Sequence, residues 1–115
     1  MARTKTASSI LSAELALLRK KREELQDIDF VLRGTIVKHY LPCGTPGCRC
    51  HADPPALHGP YYDWTRKVKG KTVTVRLTED DVKVLMEWIA NGRELVRIVK
   101  EMFQITLDAV EKIRG

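Results

Sequence analysis

Apolar and polar residues alternate with two different periods along this 115-residue chain, and the changes of period mark out its elements. Over residues 9–28, Leu11, Leu18 and Leu25 recur every seven positions with Leu15 and Ile28 beside them, while Arg19, Lys20, Lys21, Arg22, Glu23 and Glu24 form an unbroken charged run. That spacing predicts an amphipathic helix with one narrow apolar stripe, N-capped by Ser8 or Ser9 and laid against a second helix. Thr35–Leu41 switches to alternation rich in β-branched residues, the pattern of a half-buried strand, and Pro42 ends it. Two further strands are predicted over residues 61–68 and Lys71–Leu77, joined by a tight turn at Lys69-Gly70 and completing a three-stranded antiparallel sheet. By the two-residue period, Val73, Val75 and Leu77 should face the core, and Thr72, Thr74 and Arg76 solvent or a partner.

Thr78-Glu79-Asp80-Asp81 is a helix start, with a capping threonine and three acids to meet the dipole. Apolar residues then recur at Val82, Leu85, Ile89, Val96, Val99, Phe103, Val110 and Ile113, which predicts a coiled-coil-like helix over residues 78–114. Asn91-Gly92 offers a place to break it in two. A helix of roughly 50 Å outreaches a small sheet, so its far half must cover the N-terminal helix, a second copy or another protein. A homodimer through this helix is the expected arrangement. The fold class read from these elements is α+β, one domain overall: a disordered basic tip at 1–8, a helix at 9–28, a sheet at 35–77 and the long helix.

The loop at 43–58 changes the picture. All three cysteines, two of the three histidines and three of the five prolines fall within it. Cys43, Cys48 and Cys50 with His58 offer three thiolates and an imidazole, the donor set of a closed tetrahedral structural Zn2+ site. His51 and Asp53 are alternative fourth ligands. Gly44 and Gly47 are expected at positive φ, turning backbone N–H groups toward the sulfurs. Three cysteines cannot all pair as disulfides, and C-x-C is not the C-x-x-C of a redox thiol pair. The remaining alternative is a Gly/Pro-stiffened loop whose cysteines serve as small hydrophobes.

Arg33-Gly34, Cys43-Gly44 through Cys48-Arg49-Cys50, His58-Gly59-Pro60-Tyr61-Tyr62, Gly70-Lys71-Thr72 and Trp88-Ile89-Ala90-Asn91 follow one another in that order. Together they resemble an uncharacterised family of small bacterial, archaeal and phage proteins, often encoded beside transposases and other mobile-element genes. The resemblance covers roughly residues 30–100 and implies a context, not an activity. Gly92 departs from it, standing where a bulkier residue is usual.

The net charge of +5 is unevenly placed. Residues 60–77 carry five cations against one acid, whereas residues 78–115 carry eight acids against six cations. Arg66, Lys67, Lys69, Lys71 and Arg76 on the hairpin, with Arg49 in the Cys-rich loop, form a candidate nucleic-acid surface beside Tyr61, Tyr62 and Trp64. A two-stranded ribbon fits a major groove, and mobile-element neighbours would make DNA the expected target. A DNA-binding accessory or regulator is therefore the first functional expectation. The alternative is a helix-mediated adaptor for a recombinase or regulator, without nucleic-acid binding. No H-E-x-x-H, P-loop or dinucleotide fingerprint occurs, so neither an enzyme nor a small-molecule substrate is expected. No apolar run is long enough to span a bilayer and no export signal opens the chain, which points to a cytoplasmic protein without membrane contact.

Overall fold

The computed structural model describes residues 10–115. The element order is α1 (Ser12–Gln26), β1 (Thr35–Leu41), a single 3-10 turn (Arg49–His51), β2 (His58–Val68), β3 (Lys71–Leu77) and α2 (Glu79–Arg114), an α+β chain as the periodicities predict. The basic tip and the proposed caps Ser8 and Ser9 lie outside the described residues. Among the described residues no helix is long and apolar enough to cross a membrane. Two compact units emerge: Leu32–Ile89, and the N-terminal segment through Val31 with Ala90–Gly115.

The Leu32–Ile89 unit is built on an antiparallel sheet of order β1-β2-β3. Lys69 and Gly70 both have positive φ, 50° and 80°, the conformation whose twist matches a two-residue hairpin. The register places Val37, Asp63 and Arg76 in one row across the sheet, and Ile36, Trp64 and Val75 in the next. Since successive residues face opposite sides, Trp64 and Tyr62 share a face with Leu77, while Asp63 and Tyr61 share the other with His39. Val73 and Leu77 are half-buried as the alternation predicts, but Val75 is 40% exposed. Val82 and Ile89 of α2 are buried, and the Trp88 carbonyl accepts the Leu32 N–H at 3.0 Å. The start of α2 is a reciprocal cap: Thr78 Oγ1 accepts the Asp81 N–H and Asp81 Oδ2 accepts the Thr78 N–H, each at 3.2 Å.

In the other unit α1 runs antiparallel to the later turns of α2. Lys112 pairs with Glu14 at 3.0 Å, Glu101 with Lys21, and Arg97 with Glu24 at 3.2 Å, so partner numbers fall on α2 as they rise on α1. Leu11, Leu15, Leu18, Leu25 and Ile28 are half-buried, which is the stripe read from the sequence. On α2 the stripe read from the sequence is left uncovered within the chain beyond residue 90. Val96, Val99, Phe103, Val110 and Ile113 are exposed, whereas Ile98 is fully buried and Ile105 nearly so. A seven-residue period carried along all of α2 presumes one neighbour throughout, but α1 covers the later turns and the sheet unit the first ones.

α2 is continuous for 36 residues, through Asn91 and Gly92. The Asn91 side chain does not end the helix but holds the connector after α1, its Nδ2 donating to Asp29 Oδ1 at 3.1 Å and to the Phe30 carbonyl at 3.0 Å.

Asp63 is only 8% exposed in the middle of the central strand. Arg76 Nε donates to its Oδ1 at 2.6 Å, and His39 Nε2 lies 2.7 Å from its Oδ2. The Arg76 guanidinium, seconded by His39, holds the carboxyl below its ordinary value of 3.8 despite the opposing effect of burial. A lowered folded-state pKa contributes stability that is complete above the ordinary value and is lost as pH falls through the folded one. The Asp63→Asn variant should therefore be less stable than the parent at pH 7, and the gap should close below about pH 3.8. Urea midpoints measured from pH 7 down to pH 2 check this; a gap that persists unchanged in acid would contradict it.

Candidate metal centre and basic notch

Residues 42–57 leave the end of β1 and return at the start of β2, with Leu41 opposite His58 in the ladder. This pairing brings the imidazole back to the cysteines. β2 begins at His58, three residues earlier than the alternation suggests. A Cβ on Gly59, at φ 141°, would sit 2.8 Å from Tyr40 Cδ1, so this close strand approach requires glycine. Cys48 and Cys50 flank Arg49 around the 3-10 turn, where the His51 N–H donates to the Cys48 carbonyl at 2.9 Å.

Cys43, Cys48, Cys50 and His58 converge so that their ligand atoms all lie within 4.8 Å of one another. Cys43 Sγ is 3.5 Å from Cys50 Sγ, and Cys48 Sγ is 3.3 Å from His58 Nε2. Metal–sulfur bonds of about 2.3 Å in a tetrahedron imply sulfur–sulfur edges of roughly 3.8 Å. The Cys43–Cys50 separation is slightly shorter than that edge and all donors lie within 4.8 Å of one another, so they form a group able to hold a metal ion. His51 is not in the group: its Nε2 lies 2.7 Å from the Cys43 carbonyl oxygen. Asp53 is also outside it. Gly47 has the expected positive φ, 82°, but Gly44 does not; the loop makes its left-handed turn once.

Backbone donors prepare the thiols for ligation. The Thr45 N–H, with Cys50 beside it, pulls the Cys43 thiol down to about 6. The Cys50 N–H is the largest influence lowering Cys48, with further help from Cys50 Sγ and His58. Cys50 itself, 2% exposed, receives the Cys43 N–H at 3.2 Å, yet desolvation and the two neighbouring sulfurs together push its thiol up. Cys48, followed by Cys43, raises the His58 imidazole. Hydrogen-bond donors thus lower Cys43 and Cys48 while the crowding of sulfurs opposes ionisation of Cys50, and a cation at their centre would relieve that repulsion.

The six candidate nucleic-acid residues do not gather on one face. Lys67 and Arg76 project from one side of the sheet, Arg66 and Lys71 from the other, because each pair is separated by the pleat. Lys69 occupies the turn, and Arg49 is exposed in the Cys-rich loop. Arg76 is committed to Asp63 and lies over the Tyr61 ring, 4.6 Å from its centroid. Its side chain remains 51% exposed, on the face opposite Val73 and Leu77 as the alternation predicts. Arg66 stacks on Trp64 at 4.1 Å.

What the fold does assemble is a notch of about 590 Å³ where β1 begins and the hairpin continues past it. Arg33, Arg66 and Lys67 line it with Trp64, Thr35 and Thr72, and no carboxylate does. The buried Arg66 Nη1 has no hydrogen-bond partner there. Lys67 Nζ donates to Thr72 Oγ1 at 2.8 Å, and Trp64 Nε1 donates to the Arg33 carbonyl at 2.9 Å. Gly34 permits that approach: at φ 118° its Cβ would lie 2.4 Å from Trp64 Nε1. Arg33, noted in the sequence only as part of the Arg33-Gly34 motif of the resemblance, lies outside the basic stretch and was not among the candidate contacts.

Fold and site define a small α+β protein whose three-stranded sheet carries a Cys3His group able to bind a metal. The chain belongs to the family described as domain of unknown function DUF6788, whose model matches residues 11–87. That match spans α1, the sheet, the Cys3His loop and the first turns of α2. No curated protein and no solved structure matches the chain.

If the four donors act together, protein purified without added metal should contain about one equivalent of a thiophilic divalent ion, and Cys48→Ser should lower that content while leaving α-helical circular dichroism largely intact. Elemental analysis checks it; equal metal content in parent and variant would rule the site out.

Proposed function

We propose that this protein is a small zinc-stabilised nucleic-acid-binding module with DNA as its target, acting as an accessory or regulator of a mobile element or phage. The observation that carries the nucleic-acid reading is the Arg66 guanidinium, with an unpartnered buried Nη1, in an acid-free notch beside Arg33 and Lys67. A buried donor without an acceptor is costly, and a phosphate oxygen supplies a charge-assisted one. Trp64 gives the same notch a ring edge, while Lys69 and Lys71 extend positive charge along the hairpin tip. The chemistry of the donor set favours zinc: three thiolates and one imidazole are soft-to-borderline ligands, and four protein ligands leave no open position for a reacting water. The metal's part is thus to tie the loop between β1 and β2, and no catalytic role is proposed. The mobile-element setting rests on the family resemblance.

One observation favours a second reading. The apolar side chains left exposed along α2 would suit a helix-mediated protein contact, as in an adaptor for a recombinase or regulator.

Binding to a random-sequence DNA duplex tests the first reading. Log affinity should fall with log salt at about −0.9 per phosphate neutralised. Arg66→Ala and Arg33→Ala should each make that slope shallower by about one unit and weaken all sequences alike. Arg76→Ala should leave the slope nearly unchanged, because its charge is already matched by Asp63. Lys112→Ala, on the end of α2, is the control. Absence of retention at about 50 mM salt, where the counterion contribution is strong, would shift the assignment to the adaptor.

A further inference from the structure

The exposed apolar positions of α2 carry more information than their hydrophobicity. Val96, Val99, Phe103, Leu107 and Val110 are all exposed, Phe103 by 69%. At 100° per residue they form one stripe, distinct from the line of Ile98 and Ile105 that is buried in the same unit. Contiguous apolar surface of this kind is uncommon on a monomer.

The spacing along the stripe is 3-4-4-3, which reads the same in both directions about Phe103. A parallel heptad seam would continue 3-4-3-4 and place Thr106 where Leu107 stands. A two-fold interface needs a self-complementary surface, and a palindromic stripe on a helix is self-complementary when the second helix runs antiparallel. Its flanks agree. Arg93, Lys100, Gln104 and Glu111 lie along one flank. In an antiparallel pair like flanks face each other, so Arg93 comes beside the partner's Glu111, and symmetry repeats that contact. A parallel pair would set this flank against the one bearing Leu95, Thr106 and Ile113, which offers no charge. Arg93 and Glu111 are both exposed, and among the described residues neither takes part in an ion pair.

We propose that the occupant of this stripe is a second copy of the chain, with the two α2 helices antiparallel about a two-fold axis at Phe103. Val96 then packs on the partner's Val110, and Val99 on the partner's Leu107. The inference is independent of the zinc and DNA readings, since all of these residues lie beyond residue 90.

Light scattering coupled to size exclusion, on the metal-loaded full chain, tests it. The parent should run as a dimer at tens of micromolar, and Phe103→Glu should run as a monomer with unchanged helicity, because that side chain is already solvent-exposed. The register is tested by charge. Arg93→Glu or Glu111→Arg alone should weaken the dimer roughly tenfold, two rim pairs being lost together, and the double exchange should restore it. A monomeric parent at several hundred micromolar, or a dimer indifferent to Phe103→Glu, overturns the proposal and leaves the stripe to a different protein. Dissociation by Phe103→Glu without rescue in the double exchange overturns the antiparallel register.

Discussion

The ladder on both sides of β2 is the constraint on which the site depends. An interior strand has its backbone groups engaged to left and right, so the side chains it carries are placed by two neighbours at once. At one end β2 returns His58 to the cysteines through its pairing with Leu41; in the middle it buries Asp63; at the other it carries Arg66 and Lys67 past the start of β1. The metal-binding group and the cationic notch are thus opposite ends of one strand. Neither is a property of a loop alone.

Charge along that strand is sorted by what lies opposite. Asp63 faces Arg76 across the β2–β3 ladder and has His39 nearby, so a carboxylate can remain ionised at 8% exposure. The same contact sets the Arg76 charge against an acid. Arg66, one pleat removed from its neighbour Lys67, meets a Trp ring in place of an acid and keeps its charge available. Three positions along the strand separate a neutralised carboxylate from a guanidinium whose Nη1 lacks an acceptor.

α2 shows a related economy. Its first turns cover the sheet unit, and its later turns pack on α1 through a line of buried isoleucines; the apolar residues that neither neighbour uses remain at the surface. Two helices in one layer cannot bury both sides of either, and α1 has no fully buried residue. The second copy proposed above would supply a further layer.

Much of the architecture was legible in the chain because it rests on local rules. The two-residue period marked three strands, Lys69-Gly70 marked the hairpin, Thr78 with Asp81 marked a helix start, and the C-x4-C-x-C-x7-H spacing marked the donor set. Those signals depend on backbone conformation and nearest neighbours, which a sequence carries directly. What needed the tertiary structure was whatever depends on a partner distant in sequence. The choice of His58 over His51 follows from the Leu41–His58 pairing, and the ion pair of Arg76 with Asp63 from the β2–β3 register. Arg33 joined Arg66 only because β1 begins beside the point where β2 runs on. The later turns of α2 carry apolar residues beyond those that α1 covers, because hydrophobic spacing records that a residue is apolar, while burial is decided by which neighbour packs there. Asn91-Gly92 offered a possible break because propensity is local; the helix runs through it, and the Asn91 amide binds the backbone of residue 30, sixty-one positions away.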